Sequence, residues 1–276
     1  MSELADRFPQ VKRVKGFDVP EDVLLRAAAG GMKTDVKVGL VVAGAQRGGT
    51  TALHNYISRH PEVCSSSRKE VHYFDTDANF EGEPDYRDYH VWFDPRPEHK
   101  VLFEATAMYM HSRKAPGRIQ AYNPDMKIVI ILRNPIDRAY SHWNLHRRKG
   151  REEAGFIEAL ERYVQQYQEE NNAVGGLLGR ASYTEQVKRL WSLFPKEQVL
   201  ILRNEELREH AHETLGRIFD FAGLSPFRFE KFNEGKTAEY EEGMPESARD
   251  FLRDFYRDEI VSLEELLGWD CSAWRA

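Results

Sequence analysis

Four short apolar runs, at residues 36–43, 101–104, 128–132 and 199–202, punctuate an otherwise mixed chain. Continuous runs of this length, without apolar–polar alternation, predict strands buried on both faces of a parallel sheet. Between and after them the pattern turns helical: from Thr50 to just before His60-Pro61, then over 135–146, 152–170, 183–194, 213–221 and 246–267. The first helix must stop there because a residue preceding proline is pushed out of helical dihedrals. Residues 69–75, KEVHYFD, predict a short extended segment, and the glycines of 175–179 a loop. Strands alternating with helices predict an α/β fold with three layers, a mainly parallel central sheet carrying helices on both faces. Residues 1–35, broken by Pro20 and the Gly30-Gly31 pair, predict a short helix and loops that pack as an extension on the core. With no internal repeat or low-complexity stretch, the chain predicts a single domain over 1–276.

Charge narrows the partners. A formal net charge of −6 argues against general nucleic-acid affinity, which depends on a basic surface that displaces counterions. No apolar run reaches signal-peptide or membrane-span length, so the sequence predicts a soluble, cytoplasmic protein without a membrane partner. Two cysteines, Cys64 and Cys271, in a chain of 276 residues predict reduced thiols rather than a disulfide framework.

The chemistry starts at residues 40–53, LVVAGAQRGGTTAL, a buried strand running through a glycine-rich turn into a helix. That arrangement presents backbone N–H groups to a phosphate. Gly44-x-x-x-x-Gly49-Thr50-Thr51 has Walker A spacing, but Thr50 stands where that loop requires lysine. The missing ammonium argues against a nucleoside triphosphatase, in which it neutralises charge on the β- and γ-phosphates. Arg47, Gly48, Gly49, Thr50 and Thr51 remain to supply backbone donors, two hydroxyls and one guanidinium. A second constellation, VIILRNPIDRAYS over 129–141, places Arg133 directly off the end of a central strand and Ser141 about two helical turns later. Ligands in open α/β sheets bind at that edge, and a guanidinium there makes paired bonds to phosphate oxygens. A Walker B strand would end in a magnesium-binding aspartate, whereas this one ends in arginine. Two anion sites without a metal carboxylate predict a ligand with two separate phosphates and no metal.

These residues resemble the sulfotransferases that use 3′-phosphoadenosine 5′-phosphosulfate (PAPS) and release 3′-phosphoadenosine 5′-phosphate (PAP). GAQRGGTTAL looks like their 5′-phosphosulfate loop and LRNPIDRAYSHW like their 3′-phosphate segment. The resemblance runs from Val36 to the C-terminus and is closest to bacterial enzymes and the heparan-sulfate branch, which have counterparts of HPEV, KEVHYFD, FEATAMY, KEQVLIL and the tail LRDFYRDEIVSLEELLGWD. It implies the P-loop-like sulfotransferase fold and PAPS as sulfuryl donor. Arg47 sits where many relatives have a lysine beside the bridging oxygen. Arg133 and Ser141 would hold the 3′-phosphate, and Lys236 resembles a late basic residue that closes over the nucleotide. Tyr183 and Trp191 either approach the nucleotide or pack their helix.

Sulfuryl transfer requires the acceptor to lose a proton as it attacks sulfur. In an extended segment Glu70 and His72 point to one face, and Glu70 matches the glutamate given the base role in the heparan-sulfate branch. His72 is the alternative base or orients the acceptor, and Asp75 shapes the turn. Two departures stand out. Ala105 replaces a lysine that contacts the acceptor in some heparan-sulfate relatives, and Asn204 replaces an aromatic residue near the adenine. The acceptor is expected to be a small molecule or carbohydrate bearing a hydroxyl or, second, an amine, with Tyr86, Tyr89, Trp92 and Phe93 either lining its cleft or packing on the sheet. Two rivals remain from sequence: a divergent P-loop kinase using Arg47 for the absent lysine, and a non-catalytic nucleotide-binding protein of the same fold.

Overall fold

The computed structural model describes residues 13–14, 17–18, 37–169, 176–232 and 242–275. Five strands form one parallel sheet: β1 (Val38–Gly44), β2 (Val63–Ser65), β3 (Val101–Ala105), β4 (Lys127–Leu132) and β5 (Val199–Arg203). Their spatial order is β2-β3-β1-β4-β5, with every neighbouring pair parallel. The four strands expected from the apolar runs are present, and β2, too short to stand out as an apolar run, adds an edge.

Alternation along the central strands divides the core in two. On β4, Ile128, Ile130 and Leu132 point into one apolar cluster while Val129 and Ile131 point into the other. The second cluster is closed by α1 (Thr50–Ile57) through Leu53, Tyr56 and Ile57, and by the later helix Ala211–Ala222 through Leu215, Ile218 and Phe219. On the opposite face lie α2 (Ala115–Tyr122), α3 (Pro135–Arg148), α4 (Phe156–Glu169), α5 (Gly176–Gly179) and α6 (Tyr183–Trp191). They are joined there by α7 (Glu246–Phe255) and α8 (Arg257–Leu267). Because β1 and β4 are buried on both sides, their sequences are apolar without alternation, and the three-layer expectation holds.

Several boundaries differ from expectation. The helix expected over 246–267 is broken at Tyr256, whose buried side chain donates from Oη to the Leu178 carbonyl at 3.0 Å. A tertiary anchor of that kind ends one helix and starts another in a way that periodicity does not register. The helix expected from residue 152 begins at Phe156, because Glu152 turns inward to accept from Ala154 N, Arg162 and Tyr163. The 175–179 loop contains the single turn α5. Of residues 1–35, only Arg13–Val14 and Phe17–Asp18 are described, and they pair antiparallel; the short helix expected there lies outside the described residues. Cys64 and Cys271 are buried free thiols. Among the described residues, no helix is long and apolar enough to cross a membrane.

In this strand order β1 is flanked by β3, which precedes β4 in the chain, on one side and by β4 on the other. The connections therefore diverge at the carboxyl end of β1, and open α/β sheets hold ligands at such a switch point.

Candidate active site

The loop leaving β1 is pinned to both neighbours. Ala45 N donates to the Ile131 carbonyl of β4 at 2.9 Å, while Thr106 N and Met110 N, beyond β3, donate to the Val42 and Ala43 carbonyls at 3.1 and 2.9 Å. Gly48 is held hard against β4, where a Cβ would come within 2.3 Å of the Ile131 carbonyl oxygen. Its N–H was expected among the free donors. It is instead spent on the Ala45 carbonyl at 2.9 Å, and its own carbonyl accepts from Asn204 Nδ2 at 2.8 Å. Gly48 is thus a residue of close approach, while Asn204, which stands where relatives were expected to carry an aromatic residue, latches the loop. Gly49, at φ 123°, turns the chain into α1. The N–H groups of Thr50 and Thr51 open that helix and have no acceptor within it. Thr50 is buried and Thr51 exposed.

Arg47 takes the left-handed conformation at φ 68°, and its guanidinium crosses to α3, where Nε and Nη2 donate to Ser141 Oγ at 3.0 and 2.7 Å. The structure therefore joins two residues that the sequence assigns to separate phosphates. Arg133 lies at the end of β4 as expected, half-buried; its carbonyl accepts from Tyr183 Oη at 3.1 Å, and its guanidinium has no hydrogen-bond partner among the described residues. Tyr183 is fully buried and Trp191 half-buried against the core, so both pack their helix. Lys236 lies outside the described residues.

Sequence reasoning missed a wider cationic environment. Arg180 Nη1 bonds the loop residue Gln46 through its side-chain oxygen, and Arg138, with no exposed surface, donates to the Leu177 carbonyl. Arg138 Nε and Nη1 and Arg180 Nε are buried without hydrogen-bond partners. Burial, then repulsion from Arg138, lowers Arg180 to about 10. Burial also lowers His142 to about 2, with Arg138, Arg180, His146 and Arg47 all pushing the same way. A desolvated guanidinium without a carboxylate is costly unless an anion completes it. The only sequence signal was the helical spacing of Arg138, Ser141 and His142 on one side of α3, which is easily mistaken for a solvated basic face.

The second half of the site docks on the end of β3. Glu70 N donates to the Ala105 carbonyl at 2.9 Å, and Glu70 Oε2 accepts from Ala107 N at 3.2 Å. The expected extended segment is absent: Glu70 and His72 adopt φ of 61° and 60°, so the chain coils instead of alternating. Their side chains meet all the same, with His72 Nε2 3.6 Å from Glu70 Oε2. Asp75 does more than shape a turn. Its Oδ2 lies 2.8 Å from His72 Nδ1, which leaves Nε2 facing Glu70. Lys69 Nζ bonds the other oxygen, Glu70 Oε1. Glu70 and His72 keep 30% and 20% of their side-chain surfaces exposed, enough for an incoming group to reach them.

Of the four aromatic residues expected either to line an acceptor cleft or to pack on the sheet, Tyr89, Trp92 and Phe93 are buried in the core, and Tyr86 packs on Tyr73 and Tyr122. They hold the segment that carries Glu70. They do not form an open cleft.

Known proteins share this architecture. The Sulfotransferase domain family model matches residues 38–260, well over half of the chain. A bifunctional heparan sulfate N-deacetylase/N-sulfotransferase 2 from Bos taurus is 30% identical over 265 residues, covering 82% of this chain and 29% of the relative. The Homo sapiens N-deacetylase/N-sulfotransferase 3 is likewise 30% identical, with the same coverage. The chain thus spans under a third of the length of these relatives. Among solved structures, a sulfotransferase from Alicyclobacillus acidocaldarius superposes with a TM-score of 0.74 at 27% identity, over 87% of this chain and 100% of that one. With a lysine-less glycine-rich loop, an arginine directly after β4 and a family match spanning both, the chain belongs to the sulfotransferase family and is a transferase of that class.

Proposed function

We propose that the protein transfers the sulfuryl group of PAPS to an acceptor hydroxyl, without a metal ion, using Glu70 as base. The observation that carries this reading is the pairing of two chemically opposite half-sites across β1 and β3: a glycine-rich loop backed by Arg138 and Arg180, whose buried guanidinium nitrogens lack hydrogen-bond partners, and a partly exposed carboxylate beside His72 that accepts from a backbone N–H. The buried donors fit a doubly anionic nucleotide. Arg133 and Ser141 would hold its 3′-phosphate, and Arg47 with the Thr50 and Thr51 amides its 5′ group. Arg47 reaches Ser141, so one guanidinium would bridge the two subsites and couple occupation of one to the geometry of the other.

PAPS supplies an activated sulfur on a phosphate leaving group. Glu70 accepts the acceptor's proton as its oxygen forms the new bond to sulfur, while the bond from sulfur to the bridging oxygen breaks. The Arg47 guanidinium meets the negative charge that develops on the departing phosphate. His72, held by Asp75, keeps Glu70 aligned. A positioned base contributes roughly 10²- to 10⁴-fold in rate.

Attack by an amine is the second reading, supported by the N-sulfotransferase names of the most similar relatives. Ala105 argues against a grip on polysaccharide identical to that of the heparan-sulfate branch. Nucleotide binding is tested by thermal unfolding with PAP, which stabilises the folded state by mass action; no rise in Tm at saturating PAP sinks the donor assignment. Mass spectrometry of hydroxyl and amine acceptors, read for added SO₃ from PAPS, distinguishes the two readings.

A further inference from the structure

Beneath the Glu70 segment lies a carboxylate that the proposed chemistry does not use. Glu104, on β3, has no exposed surface, and Thr106 Oγ donates to its Oε2 at 2.7 Å while Tyr89 Oη donates to its Oε1 at 3.1 Å. Tyr109 Oη is a third hydroxyl facing it and helps to stabilise its charge. Two of these hydroxyls also accept from the backbone of the active segment: Thr106 Oγ from His72 N at 3.3 Å, and Tyr109 Oη from Tyr73 N at 3.1 Å. A hydroxyl has one proton to give and lone pairs to receive. An ionised Glu104 claims both protons and so turns both oxygens toward consecutive N–H groups, at the residue where the backbone is held at φ 60°.

We propose that Glu104 is a positioning residue: through the Thr106 and Tyr109 hydroxyls its carboxylate fixes the backbone of His72 and Tyr73, and hence the Glu70–His72 pair, and its protonation releases that grip. The proposal rests on the base role of Glu70. The groups facing Glu104 are Tyr89 from the turn at 87–90, Thr106 and Tyr109 from the loop after β3, Tyr122 from α2 and Glu70 from the active segment; none of these is a cation. Burial, aided by the charge on Glu70, raises Glu104 to about 7, so the switch lies in the range where the carboxyl changes state near neutrality. A protonated carboxyl keeps fewer acceptor sites and must place its own O–H, so one hydroxyl loses its fixed orientation.

The test is amide hydrogen exchange at single-residue resolution from pH 8 to pH 6 on the full chain, corrected for intrinsic exchange. In the unaltered protein, protection of His72 and Tyr73 is expected to fall as the pH drops through about 7, while β1 and β4 stay protected. Glu104→Gln should remove that pH dependence and cost about tenfold in protection at both amides, the size of a single lost hydrogen bond. Thr106→Val covers the case in which Glu104→Gln does not fold: it should expose His72 and spare Tyr73, and Thr106→Ser should restore His72. PAPS turnover, read as PAP release with N-desulfated heparan sulfate as acceptor probe, should fall at least tenfold in Thr106→Val, as expected when a catalytic group shifts by a fraction of an ångström to about 1 Å. Unchanged protection at His72 and Tyr73 in Glu104→Gln or Thr106→Val overturns the relay and leaves the sulfuryl-transfer reading standing. Lost protection with unchanged turnover overturns the positioning role. Full turnover in Glu70→Gln, by contrast, removes the catalytic reading on which the proposal rests, whatever the exchange pattern.

Discussion

The loop side of the site and the Glu70 side sit on adjacent strands, yet they are built on opposite principles. On the loop side Arg138 and Arg180 keep buried guanidinium nitrogens without hydrogen-bond partners, and His142, pressed by burial and by Arg138, Arg180, His146 and Arg47, is driven down to about 2. On the Glu70 side the polar groups are tied to one another: Asp75 to His72, His72 toward Glu70, Glu70 to Ala107 N, and Glu104 to the Thr106 hydroxyl that receives His72 N. A half-site with unsatisfied donors suits a ligand that arrives with its own charge. A laced half-site suits a group that must hold one orientation while its protonation changes.

The sharpest break in this comparison comes from Glu70→Gln. The amide keeps the shape and the acceptor to Ala107 N but takes no proton, so kcat should fall by roughly 10²- to 10⁴-fold while the PAP-induced rise in Tm is retained. Activity within a few-fold of the parent would show that the laced side is structural. Arg47→Ala acts on the other side and, on the proposed mechanism, should do both things at once, lowering turnover by about 10²-fold and shrinking the thermal shift by PAP, since the guanidinium that bonds Ser141 would also meet the leaving group. Arg47→Lys should recover part of the turnover but not the paired contact to Ser141, because an ammonium is a point charge without the guanidinium fork. Equal effects of Ala and Lys on nucleotide affinity would mean that the fork is not used.

The degree to which the two sides could be read from sequence follows from the same contrast. The glycine-rich turn after β1 was legible because its residues are sequential, and β1 and β4 were legible because burial on both faces leaves a continuous apolar run. Arg47 meeting Ser141 was not, since the contact spans 94 positions and depends on a positive φ at an arginine. On the other side Glu70 and His72 were picked out with the wrong geometry. Alternation in a strand and two left-handed residues in a coil both bring positions 70 and 72 together, and a one-dimensional pattern does not separate them. Glu104 and Thr106 passed as ordinary strand-end residues. Only the tertiary fold shows that a carboxylate there is fully buried, and only its hydroxyl partners connect it to His72.

The cationic side also predicts acid sensitivity. His142 is held neutral in the fold, at about 2, whereas an unfolded histidine titrates near 6.5. The contribution is therefore fully present above about 6.5 and is lost as the pH falls, because the unfolded chain takes up a proton that the folded chain refuses. Denaturant unfolding between pH 7 and pH 5 should show stability falling with a slope approaching about 1.4 kcal/mol per pH unit from this residue, and His142→Asn should flatten that part. An equally steep slope in the variant would assign the acid sensitivity elsewhere.

The smallest expected effect is the most specific to the loop. Asn204 Nδ2 bonds the Gly48 carbonyl, and a Cβ at Gly49 would come within 2.6 Å of the same nitrogen, so the asparagine and the glycine pair occupy each other's space. Asn204→Ala removes one hydrogen bond and opens a small gap without touching a charge. Stability should fall by about 1 kcal/mol, or some 2–4 °C in Tm for a chain of this size. If the latch also preorganises the loop, PAP affinity should drop several-fold while the protection of His72 and Tyr73 amides stays as in the parent protein. A change confined to Tm would make Asn204 a packing residue. A change that reached the His72 amide would show that the two half-sites, different as they are, are mechanically coupled through β1 and β3.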